Sequence, residues 1–165
     1  MTQQFRAGVL TMSDKGSRGE RVDESGETAA DMLKADGFEL AARDIVPDRI
    51  EEITKILIDW CDNKGLSLIV TSGGTGLSPT DVTPQAMKEV IDFEVPGIAE
   101  AMRASSLLKT PHAMISRAMA GVRGKCLIIN LPGSPRGVKE NLEAVLPALK
   151  HGLAKLSGDT SDCAS

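Results

Sequence analysis

Aromatic side chains are nearly absent from this sequence, which has three Phe, one Trp and no Tyr among its 165 residues. A basic charge balance is also missing, because 23 acidic side chains outnumber 19 Lys and Arg and give a formal net charge of −4 at pH 7. Proteins that bind nucleic acid usually combine a basic surface with aromatic side chains on which bases stack. We therefore expect no nucleic-acid partner, and an anionic ligand would have to be held by local groups.

Cysteine and histidine are scarce as well, with three Cys and two His in the chain. Cys61, Cys126 and Cys163 are widely spaced and form no Cys-x-x-Cys pair. This spacing argues against a zinc site and against a disulfide framework, and it favours reduced thiols in a reducing compartment.

Long apolar runs are the third absence. No stretch reaches the roughly 18 apolar residues of a membrane-spanning helix, and residues 1–6 lack the basic and then apolar pattern of a secretory signal. We therefore expect no contact with a membrane and a location in the cytoplasm. The mass of 17.5 kDa is typical of one domain.

Short apolar runs alternate with amphipathic stretches along most of the chain. Runs of strand length occur at 7–12, 66–71 and 126–131, with a weaker candidate at 39–46. Apolar positions at helical spacing predict helices at 24–35, 50–61, 84–91 and 138–153, the last of which contains the helix-kinking residue Pro147. This alternation predicts one α/β domain over residues 1–156 with a parallel sheet buried on both faces. Residues 157–165 lose the pattern and are expected to form a frayed tail.

Polar loops follow each of the predicted strands. They span residues 13–19, 47–49, 72–76 and 132–136, and all are rich in Gly, Pro, hydroxyl groups or charge. In an open parallel sheet, ligands bind at the carboxyl ends of the strands. We therefore expect these loops to converge on one site.

The loop Ser72-Gly73-Gly74-Thr75-Gly76 has two interpretations. Glycines allow consecutive backbone N–H groups to surround a phosphate, or they serve only a tight turn that needs positive φ angles. The stretch is neither a P-loop nor a dinucleotide fingerprint, because neither Gly-Lys-Ser/Thr nor G-x-G-x-x-G is present. Both interpretations remain open from the residues alone.

Two aspartates follow the predicted strands and precede predicted helices. Asp48 precedes helix 50–61, and Asp81 precedes a helix that Thr83, as a cap, and Pro84 are expected to begin, so each carboxylate could stabilise a helix terminus. Alternatively, two carboxylates at the same edge as a glycine loop could hold Mg²⁺, which is commonly bound by one or two carboxylates together with phosphate oxygens.

The remaining loops favour phosphate chemistry over nucleophilic catalysis. Arg136 follows the last strand and could bind a phosphate through two guanidinium nitrogens. No serine or cysteine has the sequence setting of a nucleophile, since G-x-S-x-G is absent. The implied chemistry is phosphoryl or nucleotidyl transfer, in which positioning and metal charge contribute most of the catalysis.

The stretch Leu68-Ile69-Val70-Thr71-Ser72-Gly73-Gly74-Thr75-Gly76, followed by Asp81-Val82-Thr83-Pro84, resembles the signature of the MogA/MoaB family of molybdenum cofactor biosynthesis proteins. Supporting stretches are Thr11-Met12-Ser13-Asp14, Val46-Pro47-Asp48, Val95-Pro96-Gly97, Ser116-Arg117 and Ile129-Asn130-Leu131-Pro132-Gly133-Ser134-Pro135. The resemblance covers nearly the whole chain and extends to the corresponding domain of gephyrin.

This resemblance implies a three-layer α/β/α domain with a mostly parallel sheet that binds molybdopterin and forms a homotrimer. It further implies a molybdopterin adenylyltransferase that uses Mg²⁺ and ATP, in which the terminal phosphate of molybdopterin attacks the α-phosphate of ATP and pyrophosphate leaves. The product would be handed over to a molybdenum-insertion protein. The alternative is a non-catalytic molybdopterin-binding or assembly protein of the same fold.

The resemblance also implies which residues form the site. Asp48 and Asp81 match the critical carboxylates of the family, and we expect them to be catalytic and to bind Mg²⁺. The residues predicted to bind molybdopterin or nucleotide are Ser13, Asp14, Ser72, Gly73, Gly74, Thr75, Gly76, Ser116, Pro132, Gly133, Ser134 and Arg136.

Overall fold

A computed structural model describes residues 3–163 of the chain. Met1, Thr2, Ala164 and Ser165, which belong to the ends of the predicted domain and tail, lie outside the described residues. The strands are β1 Arg6–Met12, β2 Glu39–Val46, β3 Leu68–Ser72, β4 Phe93–Glu94, β5 Ala120–Arg123 and β6 Cys126–Leu131. The helices are α1 Asp14–Ser17, α2 Glu24–Ala35, α3 Ile50–Asp62, α4 Thr83–Val90, α5 Pro96–Leu107 and α6 Pro135–Ser157, with a 3₁₀ helix at Pro111–Ile115.

The strands form one mostly parallel sheet in the order β2-β1-β3-β6-β5-β4. Strands β2, β1, β3 and β6 run parallel to one another, whereas β5 pairs antiparallel with both β6 and β4. Strands β3 and β6 are buried along their whole length because helices cover both faces of the sheet. The carboxyl ends of all four parallel strands therefore lie at the same edge.

Two apolar cores, one on each face of the sheet, confirm the predicted three-layer α/β/α architecture. On one face Leu33 of α2, Met102 of α5 and Leu142 of α6 belong to one buried cluster. On the other face Leu57 of α3 and Met87 of α4 belong to the second. Burial of large side chains on both faces anchors every long helix to the sheet, because each fully buried side chain contributes about 1.5–3 kcal/mol.

Several elements were not predicted from the sequence, and the reason is physical in each case. Strands β4 and β5 contain two and four residues, too short for an alternating pattern to be recognised. Helix α5 has only two fully buried positions, Ala99 and Met102, so that its apolar stripe is narrow. The weaker strand candidate at 39–46 is confirmed as β2, which lies at the edge of the sheet and is buried only at Val46, and this exposure explains its weak apolar pattern.

Two local expectations about helices need correction or refinement. Thr83 is not a cap: Val82 occupies the N-cap position of α4, and the Thr83 hydroxyl instead donates to the Gly73 carbonyl at 2.9 Å. Pro147 lies within α6, which continues through it to Ser157.

Among residues 3–163, no helix combines the length and the apolar character needed to cross a bilayer.

Gly8 in β1 provides a test of core packing. A Cβ at this position would lie 2.7 Å from Leu66 Cδ1 and 2.8 Å from two ring carbons of Trp60. We expect Gly8→Ala to lower the free energy of unfolding by about 1–3 kcal/mol through overpacking. Urea unfolding measures the change.

Gly152 in α6 is the matched control. A Cβ there would have no neighbour within 4 Å, and Ala is favoured over Gly within a helix by about 0.5–1 kcal/mol. Gly152→Ala should therefore raise the stability. Equal stability of Gly8→Ala and the unmodified protein would contradict the packing observed between β1 and α3.

Candidate functional site at the carboxyl edge of the sheet

The loops that follow the parallel strands converge, as expected from their common direction. The Ser13 N–H donates to the Val46 carbonyl at 2.9 Å, which joins the loops after β1 and β2. The Ser72 hydroxyl donates to the Pro132 carbonyl at 2.9 Å, which joins the loops after β3 and β6. The site is therefore assembled from segments far apart in sequence and fixed by hydrogen bonds between them.

The turn interpretation of the glycine loop is confirmed at two positions. Gly73 and Gly74 have φ angles of 99° and 69°, a region that L-residues with a Cβ rarely adopt. A Cβ on Gly73 would lie 2.6 Å from the Met12 carbonyl oxygen, and one on Gly74 would lie 2.3 Å from Thr83 Oγ1. Both glycines are therefore required by backbone conformation and by close packing.

The backbone carbonyls of the same loop all accept hydrogen bonds from residues outside it. The carbonyls of Gly73 and Gly74 accept from the hydroxyl and the N–H of Thr83, at 2.9 and 3.2 Å. The next two carbonyls, of Thr75 and Gly76, accept from the backbone N–H and Nε of Arg117, both at 2.8 Å.

The Gly73 N–H of this loop donates to the Leu131 carbonyl at 3.1 Å, whereas the next three N–H groups have no such partner among the described residues. Within residues 3–163, no hydrogen bond uses the N–H of Gly74, Thr75 or Gly76 as donor. Consecutive N–H groups without partners are the feature that makes a glycine loop suitable for binding an anion. The phosphate interpretation is therefore compatible with the turn interpretation.

A cavity of about 680 Å³ opens beside this loop, and we call it the carboxylate cavity. Its lining includes Ser13, Asp23, Glu24, Asp48, Ser72, Gly73, Gly74, Asp81, Gly133 and Ser134. The structure thus brings both predicted aspartates to one cavity, together with residues from the loops after β1, β3 and β6.

Neither aspartate has the capping role that the sequence left open. The N-cap of α3 is Arg49, and that of α4 is Val82, and neither helix start is stabilised by a side-chain cap hydrogen bond. The Asp81 carboxylate instead accepts from the N–H of Ser78 at 3.1 Å. The two carboxylates are therefore not accounted for by capping hydrogen bonds.

The electrostatic environment of Asp48 disfavours its charged form. Burial raises the pKa of Asp48 above its ordinary value, and the charges of Asp14 and Asp81 raise it further, while a backbone hydrogen bond with Asp14 opposes the shift. The Asp14 carboxylate accepts from the Asp48 N–H at 3.0 Å, so that these two acidic residues are held close together. Among the described residues, neither Asp48 nor Asp81 forms an ion pair with Lys, Arg or His.

The donor set fits a metal that is also bound by substrate. In the part of the chain that the structure describes, no group of three or more His, Cys, Asp or Glu side chains is arranged to hold a metal by itself. Mg²⁺ in phosphate sites needs only one or two carboxylates, because water and phosphate oxygens supply the remaining ligands. A Cβ on Gly74 would lie 3.4 Å from Asp48 Oδ1, and one on Gly76 would lie 2.8 Å from Asp81 Oδ2. Both carboxylates therefore adjoin the glycine loop.

A second cavity of about 440 Å³ lies on the other side of the glycine loop, and we call it the arginine cavity. Its polar lining includes Thr75, Gly76, Arg103, Lys109, His112, Ser116, Ser134, Arg136 and Asn141. Ser134 lines both cavities, and its hydroxyl accepts from the Gly137 N–H at 3.0 Å at the start of α6. The carboxylate cavity is therefore mainly acidic, whereas the arginine cavity has three basic side chains together with Glu140, which pairs with Lys109 and Arg136.

Other predicted site residues occupy more varied positions. Asp14 lines neither cavity, and its connection to the site is the hydrogen bond that its carboxylate accepts from the Asp48 N–H. Pro132 lines the arginine cavity. The Arg136 side chain is 82% exposed at the rim of that cavity, with Nε 2.9 Å from Glu140 Oε1.

The basic residues of the arginine cavity were not identified from sequence, apart from Arg136. Arg103 is on α5 and Lys109 follows it, in a region where no helix was predicted. Arg117 also went unassigned, although it adjoins Ser116 in a stretch that supported the family resemblance. The stretch Ser116-Arg117 could have indicated Arg117 from the sequence, whereas Arg103 and Lys109 could be identified only once the fold was known.

The raised pKa of Asp48 generates a prediction about stability. A carboxyl group whose pKa is higher in the folded than in the unfolded state destabilises the fold above its folded pKa, and this cost vanishes below its unfolded pKa. We therefore expect Asp48→Asn to stabilise the protein at pH 7, by at most about 1 kcal/mol for a half-buried group. The gain should disappear near pH 3, below the ordinary pKa of Asp.

Urea unfolding at both pH values, with the exposed Asp31→Asn as control, measures this effect. A stabilisation that is the same at both pH values would contradict the electrostatic origin. A loss of stability at pH 7 would show that the Asp48 carboxylate has a structural role.

Comparison with known proteins places this geometry in a family. Residues 8–151 match the family model described as "probable molybdopterin binding domain". The molybdopterin adenylyltransferase of Helicobacter pylori J99 is 41% identical over 160 residues, which cover 95% of this chain and 90% of that protein. Gephyrin of Dictyostelium discoideum is 39% identical over 94% of this chain, which spans only 23% of gephyrin.

Solved structures agree with this assignment. The crystal structure of the molybdopterin biosynthesis enzyme MoaB from Thermus thermophilus is 54% identical to this chain, with a TM-score of 0.89 and coverage of 94% of this chain and 98% of that one. A MogA structure is 39% identical, with a TM-score of 0.87 and coverage of 92% and 99%. The chain therefore belongs to the family of molybdopterin-binding domains that includes MogA, MoaB and the matching domain of gephyrin.

Proposed function

We propose that this protein is a molybdopterin adenylyltransferase that transfers AMP from ATP to the terminal phosphate of molybdopterin, with Mg²⁺ as cofactor. The observation that carries the proposal is the carboxylate cavity, in which Asp48 and Asp81 adjoin a glycine loop with unpartnered N–H groups. Relatives named molybdopterin adenylyltransferase at about 40% identity support the choice of reaction.

The proposed reaction is a direct transfer between two bound substrates. An oxygen of the terminal phosphate of molybdopterin forms a bond to the α-phosphorus of ATP. The bond from that phosphorus to the bridging oxygen of the β-phosphate breaks, and pyrophosphate leaves with the electron pair. Such a transfer requires positioning and charge stabilisation and no covalent intermediate on the protein.

The two cavities suit the two substrates. The carboxylate cavity is the larger, and its pair of aspartates suits a triphosphate that arrives with a divalent cation. The arginine cavity offers Arg103, Lys109 and Arg136, which suit the phosphate of molybdopterin without a metal. The reacting groups would meet where the two cavities adjoin, at Ser134, which lines both, and there loop N–H groups and a hydroxyl could orient them.

Asp48 and Asp81 are the residues that would hold Mg²⁺ in this proposal. When bound, the ion supplies positive charge that offsets the charge on the phosphates as the transfer proceeds. Its charge would also offset the burial of Asp48 and the repulsion from Asp14 and Asp81, which together raise the pKa of Asp48. The acidic cavity is thus best suited to a ligand that brings its own cation.

A binding-only role on the same fold is the second candidate. Its support is the family model, whose description names molybdopterin binding and no reaction. A molybdopterin-binding assembly protein would retain the arginine cavity and the glycine loop, but it would not require the carboxylate pair.

The proposal extends to assembly and location. We infer a homotrimer, for which the exposed apolar side chains of Leu107, Leu108, Met114 and Ile115 offer contact surface. We also infer that the protein acts in the cytoplasm, where ATP is available, and hands its product to a molybdenum-insertion protein. Sedimentation equilibrium of the purified protein measures the oligomeric state directly.

Incubation with molybdopterin, ATP and Mg²⁺ tests the activity. We expect adenylylated molybdopterin and pyrophosphate in equal amounts, and neither when Mg²⁺ is removed with a chelator. Tight binding of molybdopterin without either product would refute the enzyme and favour the assembly protein. Failure to bind molybdopterin would refute both candidates.

Asp81→Asn tests the role of one carboxylate. The amide keeps the shape of the side chain and an oxygen that can accept from the Ser78 N–H, but it removes the charge. If Asp81 holds Mg²⁺, kcat should fall about 100-fold or more, while the Kd for molybdopterin stays within about twofold. Steady-state kinetics and a direct titration measure the two quantities, with Asp31→Asn as the matched surface control. Equal kcat in Asp81→Asn and Asp31→Asn would exclude the metal-binding role.

A further inference from the structure

The segment from Gly76 to Asp81 carries one of the two carboxylates of the cavity but has little packing of its own. Leu77 is 65% exposed, and Ser78, Pro79 and Thr80 are exposed as well. Its local hydrogen bonds lie within the turn, from the Ser78 N–H to Asp81 Oδ2 at 3.1 Å and from the Asp81 N–H to the Ser78 carbonyl at 2.9 Å. These bonds shape the turn but do not fix it to the rest of the protein.

Arg117 provides the connection that the segment otherwise lacks. Its Nε donates to the Gly76 carbonyl at 2.8 Å, and its Nη2 donates to the Asp81 carbonyl at 2.7 Å. Nη1 contacts Oε1 of Gln85 on α4 at 3.3 Å, and the Arg117 N–H donates to the Thr75 carbonyl at 2.8 Å. One residue therefore binds both ends of the segment and the helix that follows it.

We propose that Arg117 is a positioning residue that holds the Gly76–Asp81 segment closed and so sets the Asp81 carboxylate beside the glycine loop. The catalytic consequence of this role rests on the proposed function, whereas the closure of the segment does not. No contact between Arg117 and a substrate is required, since the guanidinium acts through the two backbone carbonyls of Gly76 and Asp81.

Hydrogen bonds and burial anchor the backbone on both sides of Arg117. Arg103 of α5 donates through Nη1 to the carbonyls of Ser116 and Ala118, at 3.4 and 2.8 Å. Ala118 is buried in the core between the sheet and α5. Arg117 is therefore held on both flanks, and movement of the Gly76–Asp81 segment would have to break its hydrogen bonds to this support.

The geometry requires arginine rather than a generic cation. Three nitrogens of one planar group reach acceptors on Gly76, Asp81 and Gln85 at the same time. Lysine presents a single ammonium on a flexible stem and cannot reproduce a planar fork. Arg117→Lys therefore keeps the charge and removes the simultaneous contacts, which separates positioning from electrostatics.

The matched control is Arg123→Lys, at the far end of β5. Arg123 also uses three guanidinium nitrogens, two on Asp62 at 3.0 and 2.7 Å and one on the Val90 carbonyl at 2.9 Å. It lines neither cavity. Each variant thus disrupts three guanidinium hydrogen bonds, at different places in the fold.

Hydrogen exchange of the full-length protein is the first measurement, because it needs no substrate. We expect the amides of Ser78 and Asp81 to exchange about tenfold faster in Arg117→Lys than in Arg123→Lys, as the segment opens locally. Equal exchange in the two variants would overturn the proposal whatever the activity.

Turnover with molybdopterin, ATP and varied Mg²⁺ is the second measurement. Arg117→Lys should lower kcat about 10- to 100-fold and raise the Mg²⁺ concentration at half-maximal rate, since a misplacement of about 1 Å has effects of this size. The Kd for molybdopterin should not change. Faster exchange with normal kcat and normal Mg²⁺ dependence would overturn the positioning role. If the unmodified protein shows no turnover, the proposed function fails, and exchange alone still supports or overturns the closure by Arg117.

Discussion

Close packing of the glycine loop between β1 and α4 is the constraint on which the site depends. A Cβ on Gly73 would collide with the Met12 carbonyl, and a Cβ on Gly74 would collide with Thr83 Oγ1, at 2.6 and 2.3 Å. The loop after β3 can therefore approach its neighbours only because these side chains are missing. The approach brings the turn that carries Asp81 to the same cavity as Asp48. The glycines that the packing requires are therefore the same ones that the proposed function assigns to the site.

The same proximity makes the carboxylate cavity electrostatically unfavourable without a ligand. Burial and the neighbouring charges of Asp14 and Asp81 raise the pKa of Asp48, and the described residues supply no ion-pair partner for Asp48 or Asp81. A protein selected for stability alone would have little reason to retain this arrangement. A cation and phosphate groups that enter together would relieve the repulsion, so that the proposed function is compatible with the acidic charge of the protein.

Much of the fold and part of the candidate site could be predicted from the sequence, and the reasons differ between elements. Buried parallel strands such as β3 read as continuous apolar runs, and their direction predicted that Asp48 and Asp81 would lie at one edge. Arg103 could not be predicted in this way, because its place in a cavity depends on how α5 packs against the sheet and α6. Predicted caps at Asp48 and Thr83 failed because helix starts are also fixed by tertiary contacts, as the Thr83 hydrogen bond to Gly73 shows.

The polarity of the glycine loop follows from the same tertiary contacts. Each peptide unit has a carbonyl and an N–H that point in roughly opposite directions, so that fixing one orients the other. Thr83 and Arg117 together engage all four carbonyls from Gly73 to Gly76. The N–H groups of Gly74, Thr75 and Gly76 are left without partners among residues 3–163. Two residues outside the loop, one on α4 and one before β5, therefore determine its polarity. In the proposed function this polarity would allow the loop to bind an anion, which a glycine-rich sequence alone would not secure.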